Sequence, residues 1–256
     1  MSRHRPSGFG LIIIGSEILD DRRQDSHFAF CRDRLIEHRL PLIYTKLLRD
    51  DPALITDQLR WAIAQQTPFF CCGGIGGTPD DYTRDCAAAA LDEPVATHKE
   101  GLAILHDRFG AQDIPEPVLR MVQFPASATL IPNPVNRIPG FTVGHGHFVP
   151  GFPEMAHPMM RWVLDTYYEP GAITARHTMV LPEAREANLT TMLDALTAEH
   201  PQLAISSLPR YTQSGTEVEL SISGEPDAAD AAFAQLREIL ATTGTNYTIT
   251  ETPTQA

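Results

Sequence analysis

A cluster of glycines, directly after a short apolar run at residues 68–72, constrains the fold more than any other feature of the sequence. The cluster occupies four of five positions and consists of Gly73, Gly74, Gly76 and Gly77. Because glycine weakens regular structure, such a cluster indicates that the backbone approaches something closely or adopts positive φ. Residues 78–81 read Thr-Pro-Asp-Asp, which is typical of a helix start. Exposed amides ahead of a helix N-terminus predict a site for phosphate or another anion.

Apolar strands alternate with amphipathic helices around this cluster. Strands are predicted at residues 8–14, 41–48 and 68–72. One helix is predicted at residues 26–39 with Asp25 as its cap, and another follows Asp51-Pro52, which supply an N-cap and a first-turn proline. This alternation predicts an α/β domain with a mainly parallel sheet that is covered on both sides.

The stretch from residue 111 to residue 147 is rich in proline and turn residues. Further strands are predicted at residues 118–122, 128–131 and 148–149. A helix is predicted after residue 153, and residues 168–172, which contain Glu-Pro-Gly, predict a linker. The first domain is therefore expected at residues 1–168.

The residues after the linker show a different order of elements. A strand is predicted at 176–181, a helix at 183–199, strands at 203–208 and 216–223, a helix at 227–240 and a strand at 245–250. This βαββαβ order predicts a smaller ferredoxin-like α+β domain over residues 173–256. Because it shows no catalytic constellation, we expect it to serve packing or oligomerisation, in a homo-oligomer that is a dimer or a trimer.

The composition limits the partners that the protein can have. The chain of 256 residues is 43% hydrophobic and 20% charged, as in ordinary globular proteins. A formal net charge of -12 argues against a nucleic-acid partner, and no apolar run reaches membrane-spanning length. The four cysteines lack C-x-x-C spacing, which favours reduced, buried thiols in a cytoplasmic protein.

Acidic residues follow the first three predicted strands: Glu17, Asp50 and Asp81. In an open parallel sheet, ligands bind outside the carboxyl ends of the strands, so these side chains are expected to converge there. Together they would repel a phosphate unless a divalent cation lies between them. Because Mg²⁺ is commonly bound by carboxylates together with substrate phosphates, the sequence predicts a metal-assisted phosphate site.

A purely structural alternative remains open for each of these residues. Residues 78–81 can be a capping box, with Thr78 as N-cap and Asp81 at N3. Asp50 can belong to an N-cap, and Glu17 can be simply solvated. Residues 145–147, His-Gly-His, resemble a metal-binding pair but are more typical of a turn.

Four segments of the chain resemble a known family. Residues 73–83 read Gly-Gly-Ile-Gly-Gly-Thr-Pro-Asp-Asp-Tyr-Thr. This segment resembles the glycine signature of the molybdopterin-binding (MoaB/Mog-like) domain, in the version found in the N-terminal half of the CinA (competence/damage-inducible protein A) family. Residues 15–19, 25–27 and 149–155 agree with further motifs of that family in the same order. The resemblance covers about residues 8–168, and the module after it is also similar to the corresponding part of CinA-like proteins.

The resemblance implies a three-layer α/β domain that binds molybdopterin or a nucleotide at the carboxyl ends of the strands. It implies that Asp81 is catalytic with Asp50, and that Asp81 with Asp50 or Glu17 holds Mg²⁺ or another divalent cation. The ligand contacts that it implies are Gly73, Gly74, Gly76, Gly77, Thr78, Ser16, Asp25, Pro150 and Gly151.

The resemblance also implies a reaction. CinA-like domains hydrolyse the pyrophosphate of ADP-ribose with a divalent metal, and related proteins transfer an adenylyl group to molybdopterin. Both reactions act on a phosphoanhydride of a small phosphorylated ligand. Several positions depart from the family pattern: Ser16 replaces an acidic or amide residue, His27 replaces asparagine, Gly77 replaces proline, and Asn136-Arg137 replaces Gly-Thr. These departures leave open a non-catalytic molybdopterin-binding carrier or regulatory module.

Overall fold

The chain divides between Gly171 and Ala172 into two structural units, each with buried apolar side chains of its own. A computed structural model describes residues 3–110, 114–212 and 215–250. Residues 111–113, where the proline-rich stretch begins, and residues 251–256, where the second predicted domain ends, lie outside the described residues.

A mainly parallel sheet forms the centre of the first unit. The elements of this unit are, in chain order, β1 (Phe9–Ile14), α1 (Ser16–Leu19), α2 (His27–Glu37), β2 (Leu42–Leu48), α3 (Pro52–Ala64), β3 (Phe69–Cys72), α4 (Thr83–Ala90), β4 (Val95–Thr97), α5 (Lys99–Phe109), α6 (Glu116–Arg120), β5 (Gln123–Pro125), β6 (Thr129–Ile131), β7 (Gly140–Val143), β8 (Gly146–Val149) and α7 (Pro153–Tyr167). The strand order is β2-β1-β3-β8-β7-β6, in which the first four strands are parallel and β7 is antiparallel to both of its neighbours.

Helices cover both faces of this sheet, and the central strands are therefore buried on both sides. All six residues of β1 are buried. Ile12 packs with residues of α3 and α4 on one face, whereas Ile13 packs with residues of α2 and α7 on the other. Cys71 and Cys72 also face opposite cores, and all four cysteines are free and buried. The predicted three-layer α/β fold is confirmed.

Local capping contacts place two helices close to their predicted starts. Asp51 accepts a hydrogen bond from the N–H of Leu54 at 2.9 Å where α3 begins. Asp25 accepts hydrogen bonds from the N–H groups of His27 and Phe28 where α2 begins. The partners lie two or three positions apart in the chain, which is why the sequence alone could locate these contacts.

The stretch after α4 differs from the prediction. The strand predicted at residues 118–122 is wrong, because residues 116–120 form α6. Pro117 lies in the first turn of α6, where its fixed φ favours a helix over a strand. The helix α5 and the strands β4, β5 and β7 were not predicted. All three residues of β4 are exposed, so the sequence there has no alternation of apolar and polar residues that would predict a strand.

Tyr168, the first residue of the predicted linker, belongs to the core of the first unit. It is 2% exposed, and its hydroxyl lies 2.6 Å from Nε2 of His147. Further along, the N–H of Gly171 donates to the carbonyl oxygen of His38 at 2.8 Å. These tertiary contacts hold residues 168–171 to the first unit, whereas the linker was predicted from local composition.

The second unit has the predicted βαββαβ order. Its elements are β9 (Ala175–Pro182), α8 (Glu186–Glu199), β10 (Ala204–Thr212), β11 (Gly215–Gly224), α9 (Pro226–Thr243) and β12 (Thr248–Thr250). They form an antiparallel sheet in the order β10-β11-β9-β12. The buried residues of β11 alternate along the strand and pack with α9. Among the described residues, no helix combines the length and hydropathy needed to cross a membrane.

Candidate functional site

A cavity of about 570 Å³ lies at the carboxyl ends of the parallel strands. Its wall is formed by the loops that follow β1, β2, β3 and β8, together with residues from the stretch 121–139. Small-molecule sites commonly have this size, and this edge of a parallel sheet is where they form. The predicted site residues on this wall are Glu17, Asp50, Gly73, Gly74, Gly76, Gly77, Thr78, Asp81, Pro150 and Gly151.

The glycine loop, residues 73–77, lies too close to its neighbours for larger side chains. Gly73 has φ +101°, and a Cβ there would lie 2.2 Å from the carbonyl oxygen of Ile14. Gly74 has φ +67°, and a Cβ there would lie 2.1 Å from Oγ1 of Thr83. The hydroxyl of Thr83 donates to the carbonyl of Gly73 at 2.9 Å, and its N–H donates to that of Gly74 at 2.9 Å. The structure thus has both the close approach and the positive φ that the cluster indicated.

Arg84 binds the carbonyl groups of the same loop. It is 4% exposed, and its Nη1 donates hydrogen bonds to the carbonyl oxygens of Ile75 and Gly76. Burial lowers the pKa of the guanidinium, and the two carbonyl groups offset part of the cost of burying its charge. Among the described residues, no acceptor binds the N–H groups of residues 74–77. These four donors remain available to a ligand.

The predicted capping box is wrong as a helix start. Helix α4 begins at Thr83, and residues 78–82 form a turn and an irregular segment before it. Asp81 Oδ2 nevertheless accepts hydrogen bonds from the N–H and the hydroxyl of Thr78, at 2.8 and 2.5 Å. The contact of a capping box forms without its helix, because the bonds of Thr83 to the glycine loop set where α4 begins. Oδ1 of Asp81 has no hydrogen-bond partner among the described residues.

Asp50 and Ser16 join the ends of β2 and β1. Asp50 Oδ2 accepts from the N–H of Ser16 at 2.8 Å, and the N–H of Asp50 donates to Ser16 Oγ at 3.1 Å. Ser16 is not part of the cavity wall. It instead holds Asp50, which lines the cavity. The cap of α3 is Asp51, so the capping alternative does not account for Asp50.

The three predicted metal ligands, Glu17, Asp50 and Asp81, line the same cavity. Within residues 3–110, 114–212 and 215–250, however, no group of three His, Cys, Asp or Glu side chains could hold a metal ion. Mg²⁺ commonly binds one or two carboxylates and completes its shell with water and phosphate oxygens. The donor set therefore fits a cation bound together with a phosphorylated ligand, and it does not form a metal centre by itself.

Two residues of the second family motif lie beside the cavity. The N-cap of α2 is Ser26 and not the predicted Asp25, although Asp25 accepts hydrogen bonds from the first two N–H groups of the helix. Asp25 also lines a much smaller neighbouring pocket. Nε2 of His27 lies 3.2 Å from the carbonyl oxygen of Gly151, so its ring supports the loop after β8. Burial lowers the pKa of His27, which favours the neutral imidazole. Nδ1 of His27 has no partner within the described part of the chain.

Several residues of the cavity wall were not predicted as site residues: Arg22, Arg23, Met121, Asn133, Asn136, Ile138, Pro139, Phe152 and Met155. Asn133 is 5% exposed, and its amide donates to Oδ1 of Asn136 at 2.8 Å and to the carbonyl of Ile138 at 2.9 Å. These bonds shape a loop without regular structure, whose residues carry no periodic pattern. The dipeptide Asn133-Pro134, typical of a turn, was the available signal.

The alternative interpretation of residues 145–147 as a turn holds only for His145, because His147 lies in β8. Residues 144–145 connect β7 to β8. The ring nitrogens of His147 contact Thr142 Oγ1 at 2.9 Å and the hydroxyl of Tyr168 at 2.6 Å. Burial lowers the pKa of His147 to about 3. His147 is thus a core residue with both nitrogens engaged.

Together, the fold and the cavity define a class of protein: a three-layer α/β domain in which a glycine loop and carboxylates line one cavity at the carboxyl ends of the strands. The chain belongs to the probable molybdopterin binding domain family, whose model matches residues 10–169. The resemblance of the glycine signature to this family is confirmed.

Relatives of the chain include CinA-like proteins. A CinA-like protein of Deinococcus radiodurans is 29% identical over 235 residues, which cover 87% of this chain and 57% of that protein. Protein Ta0487 of Thermoplasma acidophilum is 23% identical over 239 residues, which cover 91% of this chain and 93% of that protein. The solved structure of a CinA protein with unknown function from Thermoplasma acidophilum has a TM-score of 0.57 and 25% identity, and covers 62% of this chain and 97% of that chain. The chain spans little more than half the length of the Deinococcus protein.

Proposed function

We propose that this chain binds a small ligand with a phosphoanhydride and acts on that bond with Mg²⁺, either by hydrolysing a nucleotide pyrophosphate such as ADP-ribose or by transferring an adenylyl group to molybdopterin. One observation carries the proposal: residues 74–77, whose N–H groups have no acceptor among the described residues, line a cavity of about 570 Å³ together with Asp50 and Asp81. Membership of the molybdopterin-binding family supports a pterin or nucleotide ligand. A cytoplasmic location and a homo-oligomeric state, a dimer or a trimer, belong to the same proposal.

Each group on the wall has a distinct part in this proposal. The amides of residues 74–77 donate to phosphate oxygens, and the guanidinium groups of Arg22 and Arg23 add positive charge. In hydrolysis, a water oxygen bonds to phosphorus, the bond to the bridging oxygen breaks, and two phosphate monoesters leave. The unpaired Oδ1 of Asp81 takes the proton of that water, while Oδ2 stays bound to Thr78. Bound Mg²⁺ supplies charge neutralisation at the phosphates.

Replacement of the Asp81 carboxylate tests the catalytic assignment. Asp81→Asn keeps the shape of the side chain but removes its charge and its basic oxygen. We expect kcat/KM for ADP-ribose with Mg²⁺ to fall by about 100-fold or more, measured as release of AMP. Asp57→Asn, at an exposed position of α3, is the matched control and should retain wild-type turnover. Wild-type turnover by Asp81→Asn would show that this carboxylate is not catalytic.

A non-catalytic molybdopterin carrier is the second candidate, and one observation favours it. Oδ2 of both Asp50 and Asp81 accepts main-chain hydrogen bonds, so each carboxylate has a structural role that needs no reaction. Titration calorimetry separates the two candidates. A carrier binds molybdopterin without a cation and consumes no nucleotide, whereas the enzyme requires Mg²⁺ and releases product.

A further inference from the structure

The cavity wall has two chemically different parts. One part carries the amides of residues 74–77 and the carboxylates. The other part is apolar and includes Met121, Ile138, Pro139, Phe152 and Met155. A phosphate or a cation interacts with the first part only. The second part indicates that the ligand also has an apolar or aromatic portion.

Phe152 differs from the other residues of the apolar part because its side chain is exposed. It is 55% exposed, although it lines the cavity, and it belongs to none of the hydrophobic clusters within the described residues. The guanidinium carbon of Arg23 lies 5.3 Å from the centroid of its ring. Such a cation–π contact leaves most of the phenyl ring accessible.

The backbone around Phe152 is held firmly. Its carbonyl accepts hydrogen bonds from the N–H groups of Met155 and Ala156, at 3.0 and 2.9 Å, in the first turn of α7. The preceding residue, Gly151, is bound through its carbonyl to Nε2 of His27. The main chain that carries the ring is therefore held in place, which lowers the entropy cost of an aromatic contact.

We propose that Phe152, with Arg23 against its ring, is the stacking surface for a planar heterocycle of the ligand, whose phosphate groups bind the glycine loop. The ligand class is thus a heterocycle joined to a diphosphate, with either a purine or a pterin as the ring. This inference rests on the proposed function and assigns a ring subsite to its cavity. Stacking on an aromatic side chain tolerates different rings because each presents a π face.

Three probes that each contain a diphosphate group test the subsite by calorimetry with Mg²⁺. They are ADP, 6-hydroxymethyl-dihydropterin diphosphate and inorganic pyrophosphate, of which only the last lacks a ring. Phe152→Ala should weaken binding of at least one ring-bearing probe about tenfold and leave pyrophosphate unchanged. Phe152→Trp should restore that binding. Phe109→Ala is the matched control, because Phe109 is 46% exposed with the guanidinium carbon of Arg108 5.1 Å from its ring centroid, yet lies off the cavity wall.

The pattern across the probes decides the result. Loss for ADP alone identifies a purine subsite, loss for the pterin alone identifies a pterin subsite, and loss for both supports a general stacking surface. If Phe152→Ala weakens neither ring-bearing probe, or weakens pyrophosphate equally, the subsite is wrong while the phosphate site stands. If the wild-type protein binds none of the three probes, the proposed function fails and the subsite fails with it.

Discussion

Two glycines in different units have nearly the same φ for different reasons. Gly74 in the glycine loop has φ +67°, and Gly244 at the end of α9 has φ +68°. A Cβ on Gly74 would lie 2.1 Å from Oγ1 of Thr83, whereas a Cβ on Gly244 would meet no atom within 4 Å. Gly244 only allows a left-handed turn that ends a helix. Gly74 allows a similar φ and, in addition, the close approach of Thr83 at the start of α4.

This contrast extends to the surroundings of the two residues. Around Gly74, buried side chains bind the loop, since Thr83 is fully buried and Arg84 is 4% exposed. Around Gly244, the bonds are those of an ordinary helix end, with its N–H donated to the carbonyl of Ala241. A glycine that only ends a helix can therefore be replaced at a modest cost, while a glycine that makes room for a buried neighbour cannot.

The largest expected effect comes from Gly74→Ala compared with Gly244→Ala. Both substitutions place alanine at positive φ, which costs about 1 kcal/mol. Gly74→Ala also forces the buried Thr83 away, which adds about 2 kcal/mol and disturbs the loop amides. Urea unfolding should show this difference, and calorimetry should show loss of pyrophosphate binding for Gly74→Ala only. Equal losses of stability would contradict the role assigned to the close approach.

The next effect is a pH dependence that belongs to the first unit. Burial lowers the pKa of His147 to about 3, so the unfolded chain takes up the proton first as the pH falls below about 6.5. At neutral pH, the contribution of His147 to the stability of the folded state is therefore fully present. It is lost progressively as the pH falls from about 6.5 to 3. Between pH 7 and pH 5 the loss should be about 2 kcal/mol.

The variant His147→Gln isolates this contribution, because glutamine does not titrate in this range. Urea unfolding at pH 7 and pH 5 should show a smaller pH-dependent loss in the variant than in the wild-type protein. We expect the variant to be less stable at both pH values. The comparison still holds, because it concerns the change in unfolding free energy between pH 7 and pH 5 within each protein. The same pH dependence in both proteins would show that His147 protonates without cost in the folded state.

The smallest effect concerns a serine that positions an acidic residue. Ser16→Ala removes the hydroxyl that accepts from the N–H of Asp50, which should cost about 1 kcal/mol. If Asp50 takes part in the reaction, turnover of ADP-ribose should also fall several-fold, with the stability measured in parallel. Ser206→Ala, at an exposed position of β10, is the control and should change neither quantity. Unchanged turnover in Ser16→Ala would leave Asp50 as a structural residue.

Sequence patterns predicted those parts of the molecule that depend on near neighbours in the chain. Asp51 caps α3 through an N–H three positions away, and β11 alternates buried and half-buried residues. The start of α4 was misplaced because Thr83 is bound to the glycine loop, nine or more positions back in the chain. Arg84 gave no signal, because an arginine that binds buried carbonyls looks like any other arginine in a sequence.

The cavity shows the same division. Its glycines and acidic residues could be predicted from residue type, and they line the cavity. Phe152 gave no such signal, because its position on the wall depends on the loop after β8, where the carbonyl of Gly151 is bound to the distant His27. Tyr168 was placed in a linker for the same reason, although it is buried against the rest of its unit.

By itself, the sequence determined the alternation of strands and helices, the family and the edge of the sheet where the cavity lies. These depend on hydrophobic periodicity and on residue types, which are local properties of the chain. Only the tertiary structure decided where α4 begins, which carbonyls Arg84 binds and which amides stay unpaired. Each of these is settled by competition among hydrogen-bond partners, and the winning partner is known only when distant segments are packed together.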